Sequence, residues 1–527
     1  MKRLNRRGFI RSGVGLGAAA GAALGTSSAR ALFDPPAFWT YRTAVVVGSG
    51  FGGSVAALRL GQAGIHTTVV ERGKNWAYQG ENTFPVIASS QSGDGRGTWL
   101  SDTDAASGAL PVGRYPGMLE RVAGDTTDSV CGAGLGGGSL VYGGVLLQPR
   151  RELFESVFPS LDYDEMDQEF YPRVLSLVSG GTIPDDILES PTYAGIKNFI
   201  AGATAAGMDV TRSHVGFDWN VIRREIQGEI TPYASVGEYV FGCNSNAKNT
   251  LDKNYLRLAA ETGRVRIAPL HHVTTITEDS MYGYAVRCDV LDEAGEVVYR
   301  HNIACKYLFM AAGSLNTTKL LLKAKEAGDL ADINDAVGQL FGGNGDELMG
   351  RLVYNPAQNP VQGGPPCVAA HDPANPIKTV GFMHSPSNQR GDLPEGVRMQ
   401  LHMAMSVPDQ LGQLTYDPSR DQPYVSYPFE ENAQDRAAHY MSLAKLPHVD
   451  NGVIPGTAIG SAGAIWHPLG GVVMGEACSD LGELLGKRNL FVVDGSLMPG
   501  STAAANPSLT IAANAERIMQ RLVPQLS

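Results

Sequence analysis

Apolar runs and glycine-rich breaks alternate along most of the chain, and the spacing within the runs predicts the elements. Ala44-Val45-Val46-Val47 is an unbroken apolar run, as in a short strand buried on both faces. A glycine-rich turn follows, then the helical spacing of Val55-Ala56-Ala57-Leu58-Arg59-Leu60, which stops near Gly64. Ile65 to Val70 reads as a second strand, so residues 41–73 form one β-α-β unit. Residues 76–125 are polar and irregular. A stretch of that length inside a folded domain usually covers a functional site. Residues 151–245 mix short helical and loop signals. From about 248 to 315 a helix gives way to strands that close on Tyr307-Leu308-Phe309-Met310-Ala311-Ala312-Gly313. Residues 346–464 are broken by Pro and Gly and contain alternating segments such as Val397 to Met405, which predicts an antiparallel sheet. A strand at Leu490–Val493 and a helix over 507–522 end the chain.

Composition narrows the class. The chain has 527 residues, 43% hydrophobic and 18% charged, which is the balance of a folded protein long enough for two domains. A net charge of −11 argues against a nucleic-acid partner, because phosphate backbones call for Lys/Arg patches. The six cysteines, Cys131, Cys243, Cys288, Cys305, Cys367 and Cys478, make no CxxC pair and no zinc-ligand spacing. No metal site is expected, and one or two disulfides are compatible with export.

The first 31 residues read as a targeting segment. A basic start is followed by a weakly hydrophobic Gly/Ala run and ends in Ala29-Arg30-Ala31, an A-x-A cleavage pattern. Arg6-Arg7 followed by Gly8-Phe9-Ile10 resembles a twin-arginine signal, the route for proteins exported after folding. The expectation is a periplasmic or secreted protein. No stretch is long and apolar enough to span a bilayer.

The strongest single motif is Gly48-Ser49-Gly50-Phe51-Gly52-Gly53, a GxGxxG that follows a strand and opens a helix. Its glycines let the backbone approach a pyrophosphate, and the helix N-terminus offers free N–H groups to it. Glu71 lies 23 residues after Gly48, at the end of the second strand. A carboxylate there suits a ribose 2′-OH and repels a 2′-phosphate, which disfavours NADP. The motif by itself does not separate FAD from NAD.

Other motifs choose FAD by resemblance. Gly132-Ala133-Gly134-Leu135-Gly136-Gly137-Gly138-Ser139-Leu140-Val141-Tyr142-Gly143-Gly144 resembles the stretch that wraps the flavin in cholesterol oxidase-type enzymes. Tyr115–Val122, Leu251–Leu256 and Ala311–Leu315 are similar to that group too. Trp466-His467-Pro468-Leu469-Gly470-Gly471, then Val493–Gly500, then Asn506-Pro507-Ser508-Leu509-Thr510-Ile511 resemble the C-terminal signature of the glucose-methanol-choline (GMC) family. The likeness runs from residue 41 to 522. It implies an α/β (α+β two-domain) fold: a Rossmann-like FAD-binding domain over 41–155, 245–345 and 465–527, with a discontinuous antiparallel-sheet substrate domain over 156–244 and 346–464. FAD would be bound by Gly48, Ser49, Gly50, Phe51, Gly52, Gly53, Glu71, Gly136, Gly137, Gly138, Ser139, Tyr142, Gly143, Val273, Gly313, Asp494, Gly495, Asn506 and Pro507. Residues 115–145 contain no histidine for covalent attachment, so non-covalent FAD is expected.

Alcohol oxidation by hydride transfer needs a base, a group that aims the carbinol, and positive potential beside the flavin. By resemblance His467 is the base and Asn506 the aiming group. Histidine suits the task with an ordinary pKa of about 6.5. Asn offers a donor and an acceptor without charge. A helix starting at Pro507 would add its positive end. Against these readings stand a structural histidine and an ordinary helix cap, since Asn before Pro is a good N-cap. His271-His272 opens a strand and reads as packing. The region Thr379–Pro386 lacks the glutamate that cholesterol oxidases use for double-bond isomerisation. Asp372 and Asp392 are the nearest acids, His384 is a conceivable proton carrier, and Tyr142 stands where Asn is expected. The expected activity is oxidation of a bulky, apolar, sterol-like alcohol, with oxygen or another acceptor taking the electrons and the isomerase step in doubt. The alternatives are an exported dehydrogenase for a non-sterol alcohol that reduces a quinone or cytochrome, and a flavin protein without turnover.

Overall fold

The computed structural model describes residues 35–526 except 88–92, 106, 355–362, 386–393, 447–458 and 462–463. Residues 1–31, read above as a targeting segment, and Asp392 lie outside the described residues.

The β-α-β unit forms as the pattern predicts, with a longer first strand and helix and a second strand that starts two residues later than Ile65. Its first strand runs Ala37–Val47, its helix Phe51–Gln62 and its second strand Thr67–Val70. These strands belong to a seven-stranded sheet in the order Val265–Ala268, Thr67–Val70, Ala37–Val47, Val297–Met310, Gly283–Leu291, His271–Asp279, with Leu490–Val492 also paired to Val297–Met310. The first four pair in parallel, and Leu490–Val492 joins them in parallel. The pairings of Gly283–Leu291 with its two neighbours are antiparallel. Ala44, Val45 and Val46 are fully buried, as expected for strands in the parallel part of a sheet.

Small residues bring the first helix close to that sheet. A Cβ on Gly52 would stand 1.8 Å from Val493 O, so only glycine fits there. The same helix is tied to two others through Glu516, which is fully buried in the terminal helix Pro507–Leu522. Its carboxylate accepts from Arg59 Nε at 2.7 Å, Arg59 Nη2 at 2.6 Å and Tyr255 Oη at 2.8 Å, the last from the helix Tyr255–Glu261.

The predicted antiparallel sheet has six strands in the order Ile459–Ser461, Glu347–Tyr354, Val397–Met405, Val380–Ser385, Val368–Asp372, Asp209–Arg212. Alternate residues face opposite ways along each strand. Phe382 and Ala404 pack on one face with Phe199 and Ala203 of the helix Ala194–Ala205 and with Ala438 and Leu443 of the helix Ala433–Lys445. Met383 and Met405 pack on the other face with Ala504 and Ala505. All six cysteines are free, so neither of the one or two bridges compatible with export is formed; five are buried among apolar side chains. Among the described residues no helix is long and apolar enough to cross a membrane, and no group of three or more potential ligands could hold a metal.

Candidate active site

A cavity of about 350 Å³ runs from the carboxyl ends of the parallel strands to the face of the six-stranded sheet that carries Met383 and Met403. The glycine turn lines one end through Gly48, Ser49, Gly50, Phe51 and Gly52, with Glu71 and Val273 beside it. Gly137, Gly138, Tyr142 and Gly143 line the middle, and Gly313, His467, Asp494, Gly495, Asn506 and Pro507 complete the wall. The structure therefore gathers at one cavity residues that lie more than 450 positions apart in the chain. Gly53, Gly136 and Ser139 do not line it. Gly53 closes the turn from behind, where a Cβ would lie 2.2 Å from Gly48 O. Ser139 Oγ donates to Gly136 O at 2.7 Å and accepts from Leu251 N at 3.1 Å, which fixes the second glycine loop.

The glycine turn is shaped for a ligand. Gly50, the N-cap of the first helix, has no side chain to satisfy the first-turn N–H groups. A Cβ on Gly50, Gly138 or Gly313 would meet nothing within 4 Å, so open space faces these backbones. Free donors at a helix N-terminus beside that space fit the pyrophosphate of an FAD, and the cavity continues from them to His467 and Asn506. Glu71 is more occupied than expected: Oε2 accepts from Ser49 N at 3.2 Å and Ser49 Oγ at 2.7 Å, and Oε1 from Gly73 N at 2.9 Å and Gly134 N at 3.3 Å. A ribose hydroxyl would share an acceptor oxygen with these donors.

At the other end the polar groups are held by one short segment, Gly343–Asp346. Asp346 Oδ1 accepts from His467 Nδ1 at 2.8 Å, and Oδ2 from His467 N at 3.1 Å. With Nδ1–H committed to the carboxylate, Nε2 is the ring nitrogen that keeps its lone pair. Two residues earlier, Asn344 Nδ2 donates to Ala505 O at 2.9 Å, while its Oδ1 accepts from Thr502 N at 2.9 Å. That grips the loop leading to Asn506, where Ala503 and Ala504 adopt φ of 62° and 55°, a left-handed conformation unusual for alanine. The terminal helix starts at Pro507 as predicted. Asn506 occupies the N-cap position, yet its side chain makes no cap bond. Its Oδ1 is buried without a partner. The helix-cap reading is thus not realised, and a buried amide oxygen is left for something the cavity holds. Asp494 ties this region to the helix Gly313–Ala327, accepting from Gly313 N at 2.8 Å and Thr317 Oγ1 at 2.6 Å.

Two expectations change, for the His271–His272 pair and for His384. His271 and His272 line the cavity in addition to starting a strand. Burial, with Lys319 and Arg72 nearby, pulls His272 down to about 3, so it is neutral. His384 cannot serve the cavity: Met383 faces it, and His384, one residue on, points to the opposite face against Phe199, with ring centroids 5.2 Å apart. Asp372 is buried and held by Ser442 Oγ at 2.5 Å and Lys445 Nζ at 2.7 Å. The Tyr142 ring lines the cavity, but its hydroxyl is buried without a partner, and burial raises its pKa.

Sequence reasoning missed Asp346 and a polar cluster of Arg72, Glu120, Cys131, Asn316 and Lys319. Arg72 Nη1 lies 2.6 Å from Glu120 Oε2, and Asn316 Nδ2 donates to the same oxygen at 3.2 Å. Burial and Glu120 push the Cys131 thiol up to about 12, which leaves it unreactive. These residues come from four separate segments; Glu120 lies inside the Tyr115–Val122 motif and Arg72, Cys131 and Asn316 adjoin motifs, but the sequence does not show that these segments meet. Asp346 had a faint signal in Gly343-Asn344-Gly345-Asp346, a turn-forming run just before a strand.

Comparison with known proteins agrees with this geometry. The family description "GMC oxidoreductase" matches residues 42–326 with its N-terminal model and 408–515 with its C-terminal model. A cholesterol oxidase of Mycobacterium tuberculosis (strain ATCC 25618 / H37Rv) is 24% identical over 551 aligned positions, covering 90% of this chain and 89% of that protein. A cholesterol oxidase of Acinetobacter baumannii is also 24% identical, over 58% of this chain, which spans 54% of that relative's length. Among solved structures, a fungal aryl-alcohol oxidase superposes with a TM-score of 0.62 at 14% identity over 92% of this chain and 99% of the other. A pyridoxine 4-oxidase from "Mesorbium loti" gives 0.61 at 15% identity over 91% and 99%. At these identities the structural likeness speaks for the fold. With one family model covering more than half of the sequence, the chain belongs to the GMC oxidoreductases, FAD-binding enzymes that act on CH–OH donors.

Proposed function

We propose that the protein oxidises the hydroxyl of a bulky, apolar alcohol, of sterol-like class, to a carbonyl. The observation that carries this reading is the pairing of His467 with Asp346 at a cavity where Asn506 Oδ1 has no protein partner. FAD, when bound, supplies the hydride acceptor. His467 Nε2 takes the hydroxyl proton, while Asp346 keeps Nδ1–H in place and stabilises the imidazolium that results. Asn506 aims the carbinol through its amide, and the positive end of the terminal helix adds potential at the cavity wall. Met383, Met403 and Val145 give the cavity an apolar side, and Trp466, 37% exposed, stands where it meets solvent. This supports an apolar substrate, and the two cholesterol oxidase relatives favour a sterol. Among the described residues no carboxylate lines the cavity beside Met383, which argues against double-bond isomerisation. We further propose that FAD is held without a covalent bond and that the protein is exported by the twin-arginine route.

The test is anaerobic stopped-flow reduction of the purified flavoprotein by sterols and by aliphatic and aromatic alcohols. Sterols should bleach the flavin fastest, and His467→Ala should slow bleaching about 10²- to 10⁴-fold with flavin content unchanged. Equal rates in the two proteins would overturn the catalytic assignment. Peroxide formation in air, compared with dye reduction, identifies the electron acceptor. Acid precipitation should leave the yellow colour in solution, and cell fractionation should place the protein outside the cytoplasm.

A further inference from the structure

The back of the six-stranded sheet, away from the active-site cavity, contains an unusual buried group. Arg351, His402 and His384 sit on three adjacent strands, with His402 paired in register to both Met349 and His384. They are 8%, 0% and 1% exposed. The two imidazole centroids are 5.2 Å apart, and each lies 5.2 Å from the ring of Phe199. Both ring nitrogens of each histidine, and Nε of Arg351, are buried without a hydrogen-bond partner. Arg351 Nη1 donates one long bond to Leu446 O, at 3.4 Å.

The charge is the harder problem. A guanidinium does not give up its proton in a protein, and a buried cation without a counter-charge is costly. Among the described residues Arg351 has no carboxylate at ion-pair distance. The described acids of this layer are committed elsewhere: Glu347 faces His439 at 3.3 Å, Asp372 is held by Lys445, and Asp435 by Lys378. Water would satisfy the imidazoles but would leave the charge unbalanced. A metal cation would be repelled by the guanidinium. Burial holds both histidines low, His384 at about 3, so each is neutral and offers one N–H and one lone pair.

We propose that Arg351, His384 and His402 form a binding site for a small anion at the back of this sheet. The guanidinium balances the charge and the imidazole N–H groups add donors. The same strands present Met383 and Met403 to the active-site cavity from the next residues along, so occupancy at the back would steady the apolar wall at the front.

The experiment does not depend on turnover. The full-length protein is dialysed free of small anions and titrated with chloride, acetate or phosphate, while a bulky sulfonate salt keeps ionic strength constant. One of these probes should raise the thermal midpoint saturably. In Arg351→Met the rise should vanish, and the variant should be at least as stable as wild type in anion-free buffer, because it no longer buries a lone cation. His384→Phe, which keeps a ring but removes its donor, should weaken the titration about tenfold. A midpoint that tracks ionic strength whichever anion is added would overturn the proposal. So would a saturable rise that survives in Arg351→Met, or an affinity untouched by His384→Phe where Arg351→Met does not fold.

Discussion

Asp346 holds His467 at two points, Oδ1 on the ring Nδ1–H at 2.8 Å and Oδ2 on the backbone N–H at 3.1 Å. The second bond fixes the backbone from which the ring is hung, so the carboxylate sets both the tautomer and the direction of the imidazole.

Asp346→Asn tests that relationship. The amide keeps the shape and can still accept from one N–H, but it cannot stabilise a protonated ring. Flavin reduction should slow about 10- to 100-fold with a changed pH–rate profile and unchanged flavin content. An unaltered profile would reduce Asp346 to a packing role.

The glycine turn separates ligand space from packing space. Gly50→Val projects into the open cradle, so it should yield a folded protein that is colourless or loses flavin readily. Gly52→Val drives a side chain into Val493 O, so it should lower the thermal midpoint whether or not flavin is present. Circular dichroism melts and the flavin absorbance of the two variants distinguish these outcomes. Equal behaviour would contradict the division.

Acid should expose the Arg72–Glu120 pair. Burial opposes the Glu120 charge, but Arg72, Lys319 and Asn316 outweigh it and hold the carboxyl at about 2, against 4.5 ordinarily. A depressed carboxylate pKa adds stability above the unfolded value, and that contribution fades as pH falls from about 4.5 toward 2. By linkage the full contribution is roughly 3 kcal/mol, of which about 2 kcal/mol is lost between pH 6 and pH 3. Denaturant titrations at pH 6 and pH 3 should show this loss in wild type and a smaller one in Glu120→Gln. Equal losses would show that the pair does not contribute.

Glu516 joins three helices from inside the core, and Glu516→Leu would leave the Arg59 guanidinium and the Tyr255 hydroxyl without their acceptor. Arg59 is 22% exposed and can partly rehydrate, so the cost should be about 3 kcal/mol, the low end for breaking a buried pair. A urea midpoint within experimental scatter of wild type would show that the helices pack independently of this carboxylate.

Local pattern made much of this molecule readable. The terminal helix begins at Pro507 and the strand Val397–Met405 has the bounds its alternation predicts, because both depend on neighbouring residues alone. The strand before the glycine turn extends back to Ala37, where Phe38, Trp39 and Tyr41 remain exposed. Its length is set by pairing with Val297–Met310, a partner more than 250 residues away that periodicity does not reveal. His467 and Asn506 stood out through the motifs around them. Asp346 stayed hidden because its partner is 121 residues distant. His384 was misplaced for a simpler reason: on a strand a one-residue difference decides which face a side chain takes.

Ala503 and Ala504 carry a further consequence. Glycine at either position would adopt the same backbone angles without steric penalty, and the fold would be easier to form. It would also release the turn that fixes where Asn506 begins. Over these two residues tolerance to heat and accuracy of aim are set against each other, and a more robust version of this protein obtained by relaxing that turn would be a poorer catalyst.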